Sequence, residues 1–491
     1  LESQMNLRRP VFNRLVLVLL LVSLANSGFA QQKLDPTTDL ATLERNIRAE
    51  MNFLASDAMQ GRGSASGYER IAAEYIGSQF HQFGLEPAGD ADASGAKGFV
   101  QRVGLQGLKF TEAPALRVTS ASQTRTWKYG SDLLVSFLRA PQIAGELQII
   151  EADAAPAKGA VALVRLPAGA NRQKRQEVIG RARMAQAAGV MLPESEANKQ
   201  LREAGNAPLP VLPSRVQSDA TATGPGDVPF AAINLRPEAF AELAAMPAGT
   251  KIEFGAPTQA NDLAATWNAV GMIRGSDPAM AADAIFLSAH LDHLGVGEPV
   301  NGDAIFNGAD DDASGCVAVL ELARALASGP RPKRTVYFVC FGSEERGGWG
   351  AQFFVAHSPV PFDHIIADIN LEMLGRPDAK VASNTLWLTG YERSNLGPEL
   401  AKQGARLVPD PHPDQNFFQR SDNYTLAVRG VVAHTVSSFG LHTDYHRPSD
   451  EVSKIDFSFM TQSIHSLIKP VRWLAESFFR PAWEPGKAPK R

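Results

Sequence analysis

The chain has 491 residues, 44% of them hydrophobic and 20% charged, an ordinary globular balance with room for two or three domains. Its formal net charge of −4 excludes the broad basic surface that nucleic acid would require. The two cysteines, Cys316 and Cys340, each sit in an apolar run and read as buried free thiols rather than a disulfide.

Residues 1–30 stand apart. Arg8, Arg9 and Arg14 precede the apolar run Leu15 to Ala25, and Gly28-Phe29-Ala30 places small residues at a cleavage site. This pattern predicts a signal peptide cut before Gln31, with no stable membrane anchor afterwards and a secreted or periplasmic location. The run is short for a membrane span.

The next segment, 31–114, opens with helical spacing over 38–56, where Leu40, Leu43, Ile47, Met51 and Leu54 share one face. A Gly/Ser-rich loop follows, then a second amphipathic helix from Tyr68 to Phe83, closed at Gly84. From about 115 the character changes. Strands are expected at 158–166 and near 193, with a helix before the latter and another starting at Pro237. This stretch lacks clustered ligand residues and reads as a separate inserted α/β domain over 115–258. From 259 to 480 strand, loop and helix alternate, which argues for a mostly parallel sheet with crossover helices. Its strands are expected at 268–275, 284–289, 335–342, 364–373 and 430–438, and its first helix at 316–327. The Pro-rich end, 481–491, reads as a flexible tail.

Chemistry-bearing residues collect where these strands end. In FLSAHLDHLGVG the apolar run stops at His290, with Asp292 two residues on. That spacing suits a metal ligand whose second ring nitrogen is oriented by a carboxylate. NGADDDASG, residues 307–315, sets three aspartates before a helix, more than a cap needs, and Asp311 is placed to bridge two cations. FGSEERGG puts Glu344 and Glu345 after the strand that ends near 342; one can ligate while the other stands back as a general base. Glu372 ends an apolar strand, where a charge is costly unless coordinated. In HTDYHRPSDE both His442 and His446 are candidates, and His446 is preferred because Asp450 is near enough to orient it. Imidazole and carboxylate donors without thiolate suit zinc or a similar ion. Two histidines and three carboxylates, one shared, can hold a pair of ions about 3.5–4 Å apart.

These motifs, in the order H-x-D, G-A-D-D-x-A-S-G, E-E, N-L-[DE]-M-x-G and Y-H-x-x-x-D, resemble the secreted di-zinc aminopeptidase family. Its relatives include glutamate carboxypeptidase, glutaminyl cyclase and the transferrin receptor ectodomain. The resemblance covers about 270–460, with the helices at 40–85, and the 115–258 block resembles the protease-associated domain inserted in this family. It implies the zinc exopeptidase fold, a mixed, mostly parallel central sheet flanked by helices, and peptide substrates with a free N-terminus. By motif it assigns one Zn2+ to His290 and Glu372, the other to Glu345 and His446, with Asp311 bridging. It makes Glu344 the general base, Asp292 the residue orienting His290, and Tyr445 a group near the developing oxyanion. Two positions depart from the family pattern: Glu372 stands where Asp is usual, and Asn423 follows Ser-Asp where His is frequent. A glutamate-type carboxypeptidase, a glutaminyl cyclase and a non-catalytic binding protein are the competing readings.

Overall fold

The computed structural model describes residues 39–205, 207–210, 212, 215–216, 229–260 and 264–490. The expected signal peptide at 1–30 lies outside the described residues.

Two helices open the described chain. In α1 (Leu40–Leu54), Asp39 caps the N-terminus, accepting from the Ala41 N–H. Its buried face carries Leu43, Ile47, Met51 and Leu54. In α2 (Gly67–Gln82), Ser66 caps, and the chain turns at Gly84 with φ +79°. Between them Arg62 is almost wholly buried. Its guanidinium donates to the carbonyls of Leu54, Leu291, Asn307 and Gly308, so one side chain ties the N-terminal helix to two loops from the middle of the sequence.

The central sheet is built from β1 (Val100–Gln106), β2 (Ala264–Ile273), β3 (Ala284–His290), β4 (Thr335–Phe341), β5 (Ile365–Leu371), β6 (Leu386–Leu388), β7 (Leu407–Pro409) and β8 (Ala433–Ser437). In space the order is β1-β2-β4-β3-β5-β8-β6-β7. The centre, β4-β3-β5-β8, is parallel, and β2 and β6 join it antiparallel. This is the mixed, mostly parallel sheet expected from the strand–helix alternation. Along β3, Ile285, Leu287 and Ala289 face the core under α1, α2, α3 (Gly315–Ser328) and α4 (Phe457–Glu476). Ala284 and Phe286 face a second core with Tyr337, Phe354 and Leu426. A strand buried on both faces needs apolar residues at every position, which is why these segments read as continuous apolar runs. Cys316 and Cys340 are both buried and free, as their apolar surroundings imply.

Two polar residues, Asp368 and Asn370, break the run in β5. Asp368 is fully buried, accepts from Ser288 Oγ at 2.7 Å, and burial pushes its pKa up to about 7. The folded state therefore holds a proton on this carboxyl that the unfolded chain releases, and stability falls as pH rises from about 4 towards 7. Asp368→Asn removes that liability. Its stability relative to wild type should improve by about 2–3 kcal/mol between pH 5 and pH 8 in urea melts. A difference unchanged across that window would refute the assignment.

The 115–255 stretch forms its own eight-stranded sheet. Its middle strands, Gln142–Glu151, Val161–Arg165, Gly189–Pro193 and Ala231–Leu235, are parallel neighbours. Its helices are Arg172–Met184, Glu196–Glu203 and Pro237–Ala244, and its apolar clusters, around Leu163 and Val190, are separate from those of the central sheet. The chain leaves the central sheet through Leu108–Phe110 and returns through Thr258–Ala260, and these two segments pair antiparallel, Phe110 opposite Thr258. The short strand Arg215–Val216 reaches back to pair with β1.

The tail expected to be flexible is tied down among its described residues. Trp483 packs against Phe418 and His434 and donates to the Gly430 carbonyl at 3.0 Å, and Glu484 N–H donates to the Arg393 carbonyl. Proline content suggests loose chain; a half-buried aromatic anchor outweighs it at this point.

Candidate metal centre

Three parallel strands deliver the site from their carboxyl ends. β3 ends on His290, β4 is followed two residues later by Glu344 and Glu345, and β5 is followed directly by Glu372. Ligand sites collect at this edge of an open α/β sheet because every strand there hands over to a loop.

The three aspartates that precede α3 divide the work. Asp312 accepts from the backbone N–H of His290, Gly315 and Met373, at 3.2, 3.0 and 3.0 Å, stapling the ends of β3 and β5 to the start of the helix. Asp310 accepts from Gly375 N–H at 2.7 Å and meets His442 Nε2 at 3.0 Å. Only Asp311 is left to face the cluster. Its Oδ1 lies 3.2 Å from His290 Nε2, and its Oδ2 lies 3.2 Å from His446 Nε2. His446 Nε2 is also 3.3 Å from Glu345 Oε2. Donor atoms of His290, Asp311 and Glu372 lie within 4.8 Å of one another, and so do those of His293, Asp311 and Glu345. The two groups share Asp311, and Glu372, despite its extra methylene, still brings a carboxylate oxygen into the first of them.

The electrostatics are those of a site short of positive charge. Burial pushes Glu344 well above the carboxylate range; His290 opposes this, and Asp422, Glu372 and Glu345 reinforce it. Burial likewise raises Glu372. Burial and the Asp311 charge act to raise Glu345, but the close imidazoles of His293 and His446 outweigh them and hold it down at about 2. Buried carboxylate oxygens of Glu345 and Glu372 lack hydrogen-bond partners. Several acids with orphaned oxygens, facing imidazole nitrogens, are the donor set that divalent cations satisfy. The residues present therefore fit a metal pair.

Asp292 stays beside His290 but, like Asp450, spends its carboxylate mainly on backbone N–H groups. The nearest partner of His290 Nδ1 is the Asp292 backbone carbonyl at 3.2 Å, while the Asp292 carboxylate stands 3.7 Å away. That carboxylate instead accepts from Ser64 Oγ at 2.5 Å and from the N–H groups of Glu344 and Glu345 at 2.9 and 3.4 Å. It orients the two-glutamate turn more directly than the histidine. Asp450 turns away from His446. Its carboxylate accepts from Asp310 and Asp311 N–H at 3.1 Å each, and burial with the Asp310 charge lifts its pKa to about 8. His446 is oriented by stacking instead: the Tyr445 ring lies 3.9 Å from its own at an interplanar angle of 21°. Asn423 is a structural crosslink, donating to the Phe418 and Ala433 carbonyls and accepting from Thr435 Oγ1 at 3.0 Å.

Asp292→Ala should release the Glu344–Glu345 turn without removing any candidate ligand. Metal affinity or kcat should fall about 10–100-fold, as for other outer-shell partners. Retention of both would mean that Ser343 and the glycines after Glu345 fix the turn by themselves.

A cavity opens onto these acids. Asp311, Glu344, Glu345, Glu372 and His446 line one side, and Met373, Trp387, Phe417, Phe439 and Tyr445 line an apolar wall, with Arg420 also lining it. Trp387 is held by its indole N–H to Asp378 at 3.1 Å, and Asp378 is in turn paired with His412 at 2.8 Å.

The residue missing from the sequence reading is His293. It is wholly buried, with Nδ1 2.8 Å from Glu345 Oε1. The signal was present in H-L-D-H, a second histidine directly after Asp292, but it falls past the end of β3, where strand periodicity no longer says which way a side chain points.

Comparison with known sequences agrees with this geometry. Residues 268–469, the span running from β2 to α4, match Peptidase family M28. That stretch of the chain, which holds the candidate ligands from His290 to His446, is similar to M28 peptidases. Over 187 residues it is 33% identical to Aminopeptidase YwaD of Bacillus subtilis, a match covering 37% of this chain and 39% of that protein. Over 73 residues it is 42% identical to a probable zinc metalloprotease of Pyrenophora tritici-repentis, covering 15% of this chain and 17% of that one. The matched stretches span well under two thirds of either relative. Likeness of fold extends further than the sequence matches: the aminopeptidase from Aneurinibacillus sp. strain AM-1 aligns over 94% of this chain and 99% of its own, with a TM-score of 0.53 at 18% identity.

Proposed function

We propose that this chain is an exported metallo-aminopeptidase that hydrolyses the first peptide bond of peptides with a free N-terminus, using a co-catalytic zinc pair. The observation that carries the reading is the pair of donor groups sharing Asp311, with Glu344 lining the same cavity but belonging to neither group. His290 and Glu372 would hold one ion, Glu345 and His446 the other, and Asp311 both. When bound, zinc supplies a Lewis acid for the scissile carbonyl and lowers the pKa of water. Glu344 takes a proton from the attacking water as the oxygen–carbon bond forms. It then gives that proton to the leaving nitrogen as the carbon–nitrogen bond breaks. Burial keeps Glu344 weakly acidic, which suits a group that must both accept and return a proton. Burial also keeps the Tyr445 hydroxyl protonated, so it can donate to the developing oxyanion. The wall formed by Trp387, Phe417 and Phe439 favours an apolar side chain on the released residue.

The test is metal content of the purified protein, set beside release of amino acid from a Leu-peptide and its N-acetylated form. About two zinc per chain, with cleavage of the free-amine peptide alone, supports the proposal. Cleavage of the acetylated peptide from its carboxyl end would favour the carboxypeptidase reading. One zinc or none without cleavage would favour the cyclase or binding-protein reading. Export is tested separately: the protein recovered outside the cytoplasm should begin at Gln31.

A further inference from the structure

The pair of positions is not symmetrical. Beyond Asp311, the first has His290 and Glu372 as donors, while the second has Glu345, His446 and also His293 within reach. The His293 ring is fully buried, and neither ring nitrogen has a hydrogen-bond partner. Nδ1 lies 2.8 Å from Glu345 Oε1 and 3.9 Å from Asp311 Oδ2. The separation from Glu345 is that of a hydrogen bond, yet neither atom has a hydrogen-bond partner, which leaves both available to a shared third group together with Asp311. Leaving a buried imidazole nitrogen dry is costly, and native interiors avoid it.

Gly308 lies close beside the ring, where an added Cβ would sit 2.5 Å from His293 Cγ, so only glycine leaves the ring its place. The His293 backbone is bound on both sides: its N–H donates to the Arg62 carbonyl at 3.1 Å, and its carbonyl accepts from Ser64 N–H at 3.2 Å. The His446 ring stands edge-on to it at 5.7 Å, so the two imidazoles flank Glu345.

Resting on the metallopeptidase reading, we propose that His293 joins Asp311, Glu345 and His446 as a fourth protein ligand of the second ion, giving one retained and one exchangeable metal position. Four protein donors close a zinc site, whereas three leave a place for water or substrate. The ion held by His290, Asp311 and Glu372 is then the one that exchanges. Glu372 in place of a shorter carboxylate acts in the same direction, since a longer side chain is less rigidly placed.

The experiment is stepwise loading of the metal-free chain with cobalt(II), competed against a chelating dye. Wild type should bind two ions in steps at least about 10-fold apart in affinity, and His293→Ala should weaken the tighter step about 10–100-fold while leaving the weaker one unchanged. A second measurement uses unmutated protein, so folding of the variant does not limit the answer. Proton spectra of the cobalt form in water should show paramagnetically shifted, exchangeable imidazole N–H signals from three histidines. Two such signals, or two steps unaltered by His293→Ala, would overturn the proposal while leaving the metallopeptidase reading standing. A wild-type chain that binds no divalent ion would overturn both.

Discussion

Glu344→Gln is expected to abolish turnover while metal content, fold and substrate affinity survive. The amide keeps the size of the side chain and the backbone N–H that Asp292 accepts, and Glu344 belongs to neither ligand group. What it loses is the capacity to hold a proton between water and leaving amine, a contribution of about 10²–10⁴ in kcat for general acid–base catalysis. The comparison to make is kcat and KM for a Leu-peptide, with zinc measured on the same preparations. A fall in kcat with KM and zinc unchanged identifies the proton carrier. Loss of zinc together with activity would instead make Glu344 a ligand, and near-normal kcat would remove it from the mechanism.

Arg62→Ala carries the largest expected loss of stability. The guanidinium serves four backbone carbonyls on three segments, around Leu54, Leu291 and Asn307–Gly308. Its charge also sits near Asp292, Asp312 and Asp450, which offset the cost of burying it. Removing it leaves carbonyls without donors and acids without a counter-charge, for about 3–5 kcal/mol in urea unfolding. Arg62→Lys should recover little, because one ammonium cannot reach carbonyls arranged for a planar fork. A loss below about 1 kcal/mol for the alanine variant would show that water substitutes freely in that pocket.

The fold was largely legible because its central strands are buried on both faces and therefore mostly apolar; β3 and β4 could be read from composition and length. The cluster was legible for a related reason. A charge such as Glu372 at the end of an apolar strand has few places to go, and strand ends are where loops converge. What could not be read was the partner of each carboxylate. Asp292 and Asp450 both spend their oxygens on backbone N–H groups of neighbouring loops. Those bonds depend on how loops separated by 52 and by 140 positions pass one another, which no local spacing encodes. His293 was not legible because it lies three residues past the end of β3, where strand alternation no longer assigns a direction to a side chain. Trp483 is the opposite case: its Pro-rich setting suggests loose chain, and its contacts with Phe418 and His434 depend on packing that local composition does not encode.

The ribbon formed by Leu108–Phe110 and Thr258–Ala260 carries a lesson about how such a chain is assembled. Its two arms run side by side, so the points where the polypeptide departs and comes home are about 5 Å apart. Everything between them is, to the rest of the molecule, a detour that a two-residue turn could bridge. A shortened chain with a tight hairpin joining the arms should still close its main sheet, at the cost of baring the β1 edge that Arg215–Val216 now covers. An ancestor without the detour and a descendant with it would differ by one tolerated splice, made where it disturbs neither the aspartates before α3 nor the strand ends they staple.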